Sequence, residues 1–209
     1  MDLELSGKVA IITGGSRGIG KAIAREFASE GMRVAIAARD IPTMQECVAE
    51  LIAEKPGAEI VAVQVDTSDD ESVRAMVDKV HRHFGRIDVL VNNAAKPGGQ
   101  GPVPKLGDVT NELFWDDMNV KVLGYLRCAR EVAPHMQAQG WGRIINISGL
   151  AARQSGSVIG SMRNVAVAAM TNTLADELGP SGINVTVVHP GLTRTEKTPG
   201  VIAARAMAS

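Results

Sequence analysis

The octapeptide TGGSRGIG, Thr13 to Gly20, has the composition of a phosphate cradle. It follows the apolar run KVAIIT (8–13) and opens the segment GIGKAIAREFASEG (18–31). In that segment Ile19, Ile23 and Phe27 recur on one helical face, and Gly31 supplies a stop. At such a strand-to-helix junction Gly14 allows a tight turn, Gly18 lets a pyrophosphate approach the backbone, and Gly20 lets the helix pack close to the sheet. The free N–H groups and the dipole at the helix start favour the phosphate charge. The spacing T-G-x-x-x-G-x-G departs from the commoner G-x-G-x-x-G, so the reading rests on strand, glycines and helix coinciding.

Proton chemistry has fewer candidates. His81 and His83 stand among Lys79 and Arg82 and read as a solvated helix face. His135 ends a long helical pattern, where it could cap carbonyls, and His189 reads as a packing residue at a strand end. Lys121 and Tyr125 are an i,i+4 pair on one helix face. Tyr125 is the chain's single tyrosine, and a neighbouring ammonium would lower its pKa. Cys47 and Cys128 lie inside helical patterns, read as buried thiols of a reducing compartment, and offer no metal-ligand spacing.

The elements that must position these residues alternate along the chain. Strand patterns occur at 8–13, RVAIAA (33–38), EIVAVQV (59–65), IDVLVN (87–92), RIINIS (143–148) and INVTVVH (183–189). Helical patterns fall at 18–31, 42–55, behind Ser68, from about Asn111 toward Met136, and over 158–178. Ser68 and Glu71 form an S-x-x-E capping box for the third of these. Residues 94–109, rich in glycine and proline, read as a loop. Unbroken apolar strands alternating with helices predict a doubly wound parallel sheet of Rossmann-like form, three layers α/β/α, as a single domain over 1–209.

Composition narrows the function classes. A formal charge of −1, with 22 basic and 23 acidic residues interspersed, argues against a nucleic-acid or membrane surface. The start, MDLELSGK, lacks the basic and apolar regions of a signal peptide, and no apolar run approaches the roughly 18 residues of a membrane span. These features lead us to expect a cytoplasmic protein.

In six segments the sequence resembles the short-chain dehydrogenase/reductase family: TGGSRGIG, VDTSD (65–69), VNNAA (91–95), INIS (145–148), LADELGPSGINV (174–185) and HPGLTRT (189–195). The resemblance covers residues 5–196 and implies hydride transfer between NAD(P)(H) and a carbonyl or alcohol. It assigns cofactor contacts to Gly14, Ser16, Arg17, Gly18, Ile19, Gly20, Arg39, Asp66, Thr67, Asn92, Ala94, Pro190, Gly191 and Thr195. Asp66 would meet the adenine, Asn92 and Ala94 would line the groove, and Pro190, Gly191 and Thr195 would approach the nicotinamide end. Ala38 stands where NAD-preferring relatives carry an acid; Arg39 follows it and Arg17 lies in the glycine loop. Two guanidiniums beside one ribose favour the 2′-phosphate of NADP over NAD. Asp40 is the competing feature, since a one-residue shift would aim it at the ribose.

The catalytic positions depart from the family. Its members use a tyrosine, a lysine four residues later, a serine, and an asparagine on the preceding long helix. Counting back from Leu178 puts Asn164 at the lysine position and Gly160 at the tyrosine position. Gly149 falls at the serine position with Ser148 one place early, and Lys121 at the asparagine position. Lysine and asparagine therefore look exchanged, which makes Lys121, Ser148 and Asn164 the candidate catalytic residues, with no metal. Two functions follow: an NADP-dependent oxidoreductase with a rearranged acid and an unknown small-molecule substrate, or a catalytically silent NADP-binding relative that acts through a partner. The family pairs the long helix and the helix at 158–178 across a two-fold axis, so a homodimer or homotetramer is expected. Family members also usually continue into another helix and a seventh strand, so Ser209 reads as an early end and further chain is expected.

Overall fold

The computed structural model describes residues 2–96, 104–196 and 198. Six strands form one sheet: β1 (Val9–Thr13), β2 (Arg33–Ala38), β3 (Ile60–Gln64), β4 (Val89–Asn92), β5 (Gly142–Ile147) and β6 (Ile183–Val188). Every pairing is parallel, in the order β3-β2-β1-β4-β5-β6. The order reverses between β1 and β4, which opens a crevice at the carboxyl ends of those two strands. β2 coincides with its apolar run, β5 is shifted by one residue toward the N-terminus, and the other four strands are shorter than their runs by a residue or two.

Helices cover both faces, as alternating side chains on each strand require. On one face α1 (Gly18–Ser29) and α2 (Ile41–Glu54) pack over Ala10, Ile12, Val34, Ile36 and Val91. The residues of α1 nearest the sheet are Gly20, Ala24 and Ala28, with Ile23 and Phe27 flanking them. Small residues at this four-residue spacing bring the helix axis close to the strands. On the other face α3 (Asp70–Phe84) and α5 (Gly124–Gln139) cover Val9, Ile11, Ala35, Leu90 and Ile144. α6 (Val158–Leu178) lies against β6 on this side and adds Leu178 to the same core.

Three local expectations are corrected. The N-cap of α3 is Asp69, whose carboxylate accepts from Ser72 N–H at 2.6 Å. Ser68 is not free to cap, since its hydroxyl donates to Asp66 Oδ1 at 2.6 Å. The long helix is not continuous: α4 (Asn111–Met118) passes through a π turn, Asn119–Leu123, into α5. His135 does not cap the helix end; it lies a turn earlier and stacks on His81, ring centroids 4.3 Å apart.

Candidate functional site

At the crevice the glycine loop is folded on itself. A Cβ on Gly20 would lie 2.4 Å from Gly14 O and 2.6 Å from Asn93 Nδ2, so only glycine fits there. Gly14 and Gly18 adopt positive φ, 64° and 56°, the left-handed region that glycine enters without steric cost. Asn93 holds the loop in place: its amide donates to Thr13 O at 3.1 Å and Gly14 O at 3.0 Å. Thr13 Oγ1 in turn accepts from the N–H groups of Asn93 and Ala94 at 3.0 and 3.1 Å. This latch between the ends of β1 and β4 was not singled out from the sequence; the paired asparagines after β4 were its only sign.

Beside the loop lies a cleft of about 280 Å³, walled by Gly14, Ser16, Arg17, Arg39, Asp66 and Ala94 among others. Thr67 also lines it and donates its hydroxyl to Val120 O at 3.2 Å. Asp40 also lines the cleft, and its carboxylate caps α2, accepting from Thr43 N–H at 3.2 Å and Thr43 Oγ1 at 2.8 Å. Arg17 donates to Thr43 Oγ1 at 3.0 Å, which holds its guanidinium at the end of β2. Asp66 Oδ1 accepts from both Ser68 N–H and hydroxyl, and these bonds keep its carboxyl below the usual range against the opposing effect of burial. A glycine-lined helix start, two guanidiniums and two carboxylates around one cleft fit a dinucleotide.

Asn92 is placed otherwise than expected. It is fully buried behind the cleft wall, where its amide donates to Asn146 Oδ1 at 2.9 Å and Tyr125 O at 3.2 Å. Asn146 continues the chain to Thr171 Oγ1 at 2.9 Å. These bonds tie β4, β5, α5 and α6 together. Ile19 sits in the first turn of α1. Pro190 and Gly191 follow β6 outside the cleft wall, and the Thr195 methyl carbon lies 3.5 Å from where a Gly18 Cβ would stand.

A second polar cluster forms where β5 ends. The π turn carries Lys121 inward, and the ammonium is only 4% exposed. It donates to Ser148 O and to Asn164 Oδ1, both at 2.9 Å. Lysine from the long helix and asparagine from α6 thus meet. The Ser148 hydroxyl donates to Asn164 O at 3.0 Å, so its proton is committed to the backbone of α6. Gly149 makes room: a Cβ there would stand 3.1 Å from Asn164 Nδ2. Burial, helped by the Arg163 charge and opposed by Asp117, brings the Lys121 pKa down to about 7.

Tyr125 corrects an expectation. Its phenol donates to Ile147 O at 3.0 Å, and the Lys121 ammonium stands 6.0 Å from its ring centroid. Burial raises the phenol pKa rather than lowering it, so Tyr125 is a packing residue and a poor acid. Arg163 and Asp117 complete the cluster as a mostly buried ion pair, and Arg163 also donates to Lys96 O at 3.4 Å. Neither residue stood out in the sequence: Asp117 sits among other acids on α4, and Arg163 is the lone charge in the first four turns of α6 with no partner nearby in sequence.

The π turn depends on contacts from outside the helix. Arg127 donates to Asn119 O and Thr67 O, both at 3.2 Å, while its Nε pairs with Asp70 at 2.7 Å. Gly124 lets the turn approach the end of β3: a Cβ there would meet Thr67 O and Thr67 Cβ at 3.0 Å. One turn of π-helix, a known accompaniment of functional sites, thereby aims Lys121 at the sheet end.

The sheet order, the crevice and the glycine cradle define a dinucleotide-binding oxidoreductase fold. The chain belongs to the short-chain dehydrogenase/reductase family, whose short chain dehydrogenase model matches residues 8–205. The short-chain reductase protein NovJ of Streptomyces niveus is 38% identical over 189 residues, which is 90% of this chain and 70% of that protein. The structure of L-sorbose reductase from Gluconobacter frateurii, in complex with NADPH and L-sorbose, superposes with a TM-score of 0.85 at 35% identity, covering 94% of this chain and 74% of that one. NAD+-bound xylitol dehydrogenase gives a TM-score of 0.84 at 29% identity, covering 90% and 71%.

Proposed function

We propose that this protein is an NADP(H)-dependent reductase of a small carbonyl compound, in which the Lys121 ammonium replaces the family's tyrosine as proton donor. The observation that carries the reading is the buried Lys121–Asn164 hydrogen bond of 2.9 Å beside Ser148. A bound nicotinamide dinucleotide supplies hydride to the carbonyl carbon. The carbonyl oxygen then needs one proton, which Lys121 Nζ gives, leaving a neutral amine that recovers its proton from solvent. An ammonium has three N–H donors. Among the described residues two are spent on Ser148 O and Asn164 Oδ1, which leaves one for a substrate oxygen. A pKa of about 7 matches the donor to neutral pH, where a general acid contributes on the order of 10²- to 10⁴-fold in rate. Asn164 and the Ser148 carbonyl orient the ammonium and do not exchange protons themselves.

Arg17 and Arg39 in the cleft wall support NADP over NAD, and the Asp40 carboxylate that lines the same cleft has its hydrogen bonds committed to Thr43 at the α2 cap. The L-sorbose reductase relative, solved with NADPH, is consistent with this choice. A homodimer through α4–α5 and α6 is part of the same reading. Val158, Met162 and Val165 follow one another on one face of α6 and stay about half exposed, and Leu123 and Leu126 are exposed beside the long helix.

The test is cofactor oxidation against a panel of aldehydes, ketones and keto-sugars, with wild type and Lys121→Ala. Turnover that disappears in the variant while NADPH affinity holds supports the assignment. An active Lys121→Ala, or NADPH binding with no turnover on any carbonyl, would favour a silent nucleotide-binding protein. The inward-turned Ser148 and Tyr125 hydroxyls are the features of the site that agree with that alternative.

A further inference from the structure

The start of α1 already holds an anion. Gly18 N–H donates to Glu196 Oε2 at 3.0 Å and Oε1 at 3.3 Å, a contact across 178 residues of sequence. The helix provides nothing of its own there: Arg17 at the N-cap makes no side-chain cap bond, and the first turn carries no acid. The contact is supported from behind. Thr195 N–H donates to Thr198 Oγ1 at 2.7 Å and Thr198 N–H to Thr195 O at 3.0 Å, a turn that brackets Glu196. The Thr195 methyl packs on Gly18, 3.5 Å from the site of a Cβ.

We propose that the Glu196 carboxylate is a built-in competitor for the pyrophosphate site, so that a dinucleotide binds only the fraction of molecules in which Glu196 has left Gly18. The inference rests on the reading of the cleft as a dinucleotide site and adds a regulation to it. Its physical basis is exclusion. One N–H at the positive end of the helix cannot serve a carboxylate and a phosphate together, and the two anions repel. The apparent affinity of the cofactor then falls by the fraction of molecules that are open. A carboxylate at an exposed helix start shifts such an equilibrium by about two- to fivefold. The effect is specific to the pyrophosphate. A nucleotide that engages only the end of the cleft near Arg17 and Arg39 would not feel it.

The experiment compares wild type, Glu196→Gln and Glu196→Ala in three titrations: NADPH, adenosine 2′-monophosphate, which has no 5′-phosphate to enter the pyrophosphate site, and inorganic pyrophosphate read by thermal shift. Glu196 is exposed, so neither variant threatens folding. The expected result is NADPH binding about two- to fivefold tighter in Glu196→Ala, a larger pyrophosphate-induced shift, and unchanged affinity for the 2′-monophosphate. Glu196→Gln, which keeps a hydrogen-bond acceptor without the charge, should fall between. Equal or weaker NADPH and pyrophosphate binding in Glu196→Ala would overturn the proposal, as would equal tightening for the 2′-monophosphate. If no variant binds NADPH while pyrophosphate still favours Glu196→Ala, the competition stands and the dinucleotide reading fails.

Discussion

Replacing Lys121 with methionine tests the cluster without needing a substrate. The two side chains have similar length, so the perturbation is mainly the removal of a buried ammonium. Burial takes this group from its ordinary value of 10.5 to about 7 in the folded protein, while the unfolded chain restores the ordinary value. Below pH 7 both states hold the proton, and folding bears the full cost of burying the charge. Between about pH 7 and 10.5 the unfolded chain still holds a proton that the folded one has released. The unfolded state then binds more protons, so wild-type stability rises with pH through that window. The slope is about 1.4 kcal/mol per pH unit, for a total on the order of 5 kcal/mol. Methionine carries no such dependence. It does leave Ser148 O and Asn164 Oδ1 without their donor, which adds a pH-independent cost of about 1–3 kcal/mol. The assay is urea unfolding of both proteins at pH 6, 7, 8 and 9, at one protomer concentration because any dimer would couple assembly to stability. Relative to Lys121→Met, wild type should be least stable at pH 6 and should gain steadily above pH 7. A stability difference that stays flat from pH 6 to 9 would refute the buried, depressed ammonium and with it the proposed proton donor.

Arg39→Ala should cost NADPH about tenfold or more in affinity through the loss of charge-assisted hydrogen bonds, with NADH nearly unchanged; fluorescence titration of both cofactors decides it, and equal losses for the two would count against a 2′-phosphate contact. Gly20→Ala should lose more than about 2 kcal/mol of stability, because the added methyl meets backbone at Gly14 O, 2.4 Å away, rather than a side chain that can move; a thermal midpoint within a degree of wild type would contradict the tight loop. Sedimentation velocity should find a dimer or tetramer, and Val165→Glu should shift it to monomer by placing a charge on the exposed apolar face of α6; a wild-type monomer at every concentration would remove the assembly from the reading.

The parts of the fold that were legible in the sequence are those set by local rules. The bounds of α6 coincide with the pattern at 158–178 because Ser157 caps its first turn and the Gly179-Pro180 pair follows its last residue. The glycine loop was legible because its residue types are demanded by backbone conformation. The π turn was not, since it is imposed from outside by Arg127 and Thr67, which reach it from α5 and from the end of β3. The α3 cap was misread because two side chains could serve and the one chosen had a competing acceptor in Asp66. Counting along the chain could suggest that Lys121 and Asn164 share a site, yet whether Lys121 faced solvent or the sheet end depended on that π turn. Of the two roles open to Tyr125, an acid beside Lys121 or a packing residue, the fold selects packing by sending its hydroxyl to Ile147 O.

The contact between Lys121 and Asn164 also constrains how this sequence can change. Placing lysine at 164 alone would set two ammonium groups within bonding distance in a buried space, and placing asparagine at 121 alone would leave two amides where one cation had satisfied both acceptors. A side chain at 160 must first displace the Ser157 hydroxyl, since a Cβ there would lie 2.5 Å from it, and a serine at 149 would press on the Asn164 amide. The four positions are therefore coupled: the side chain held at each limits what its neighbours can carry, and a change at one calls for a change at another.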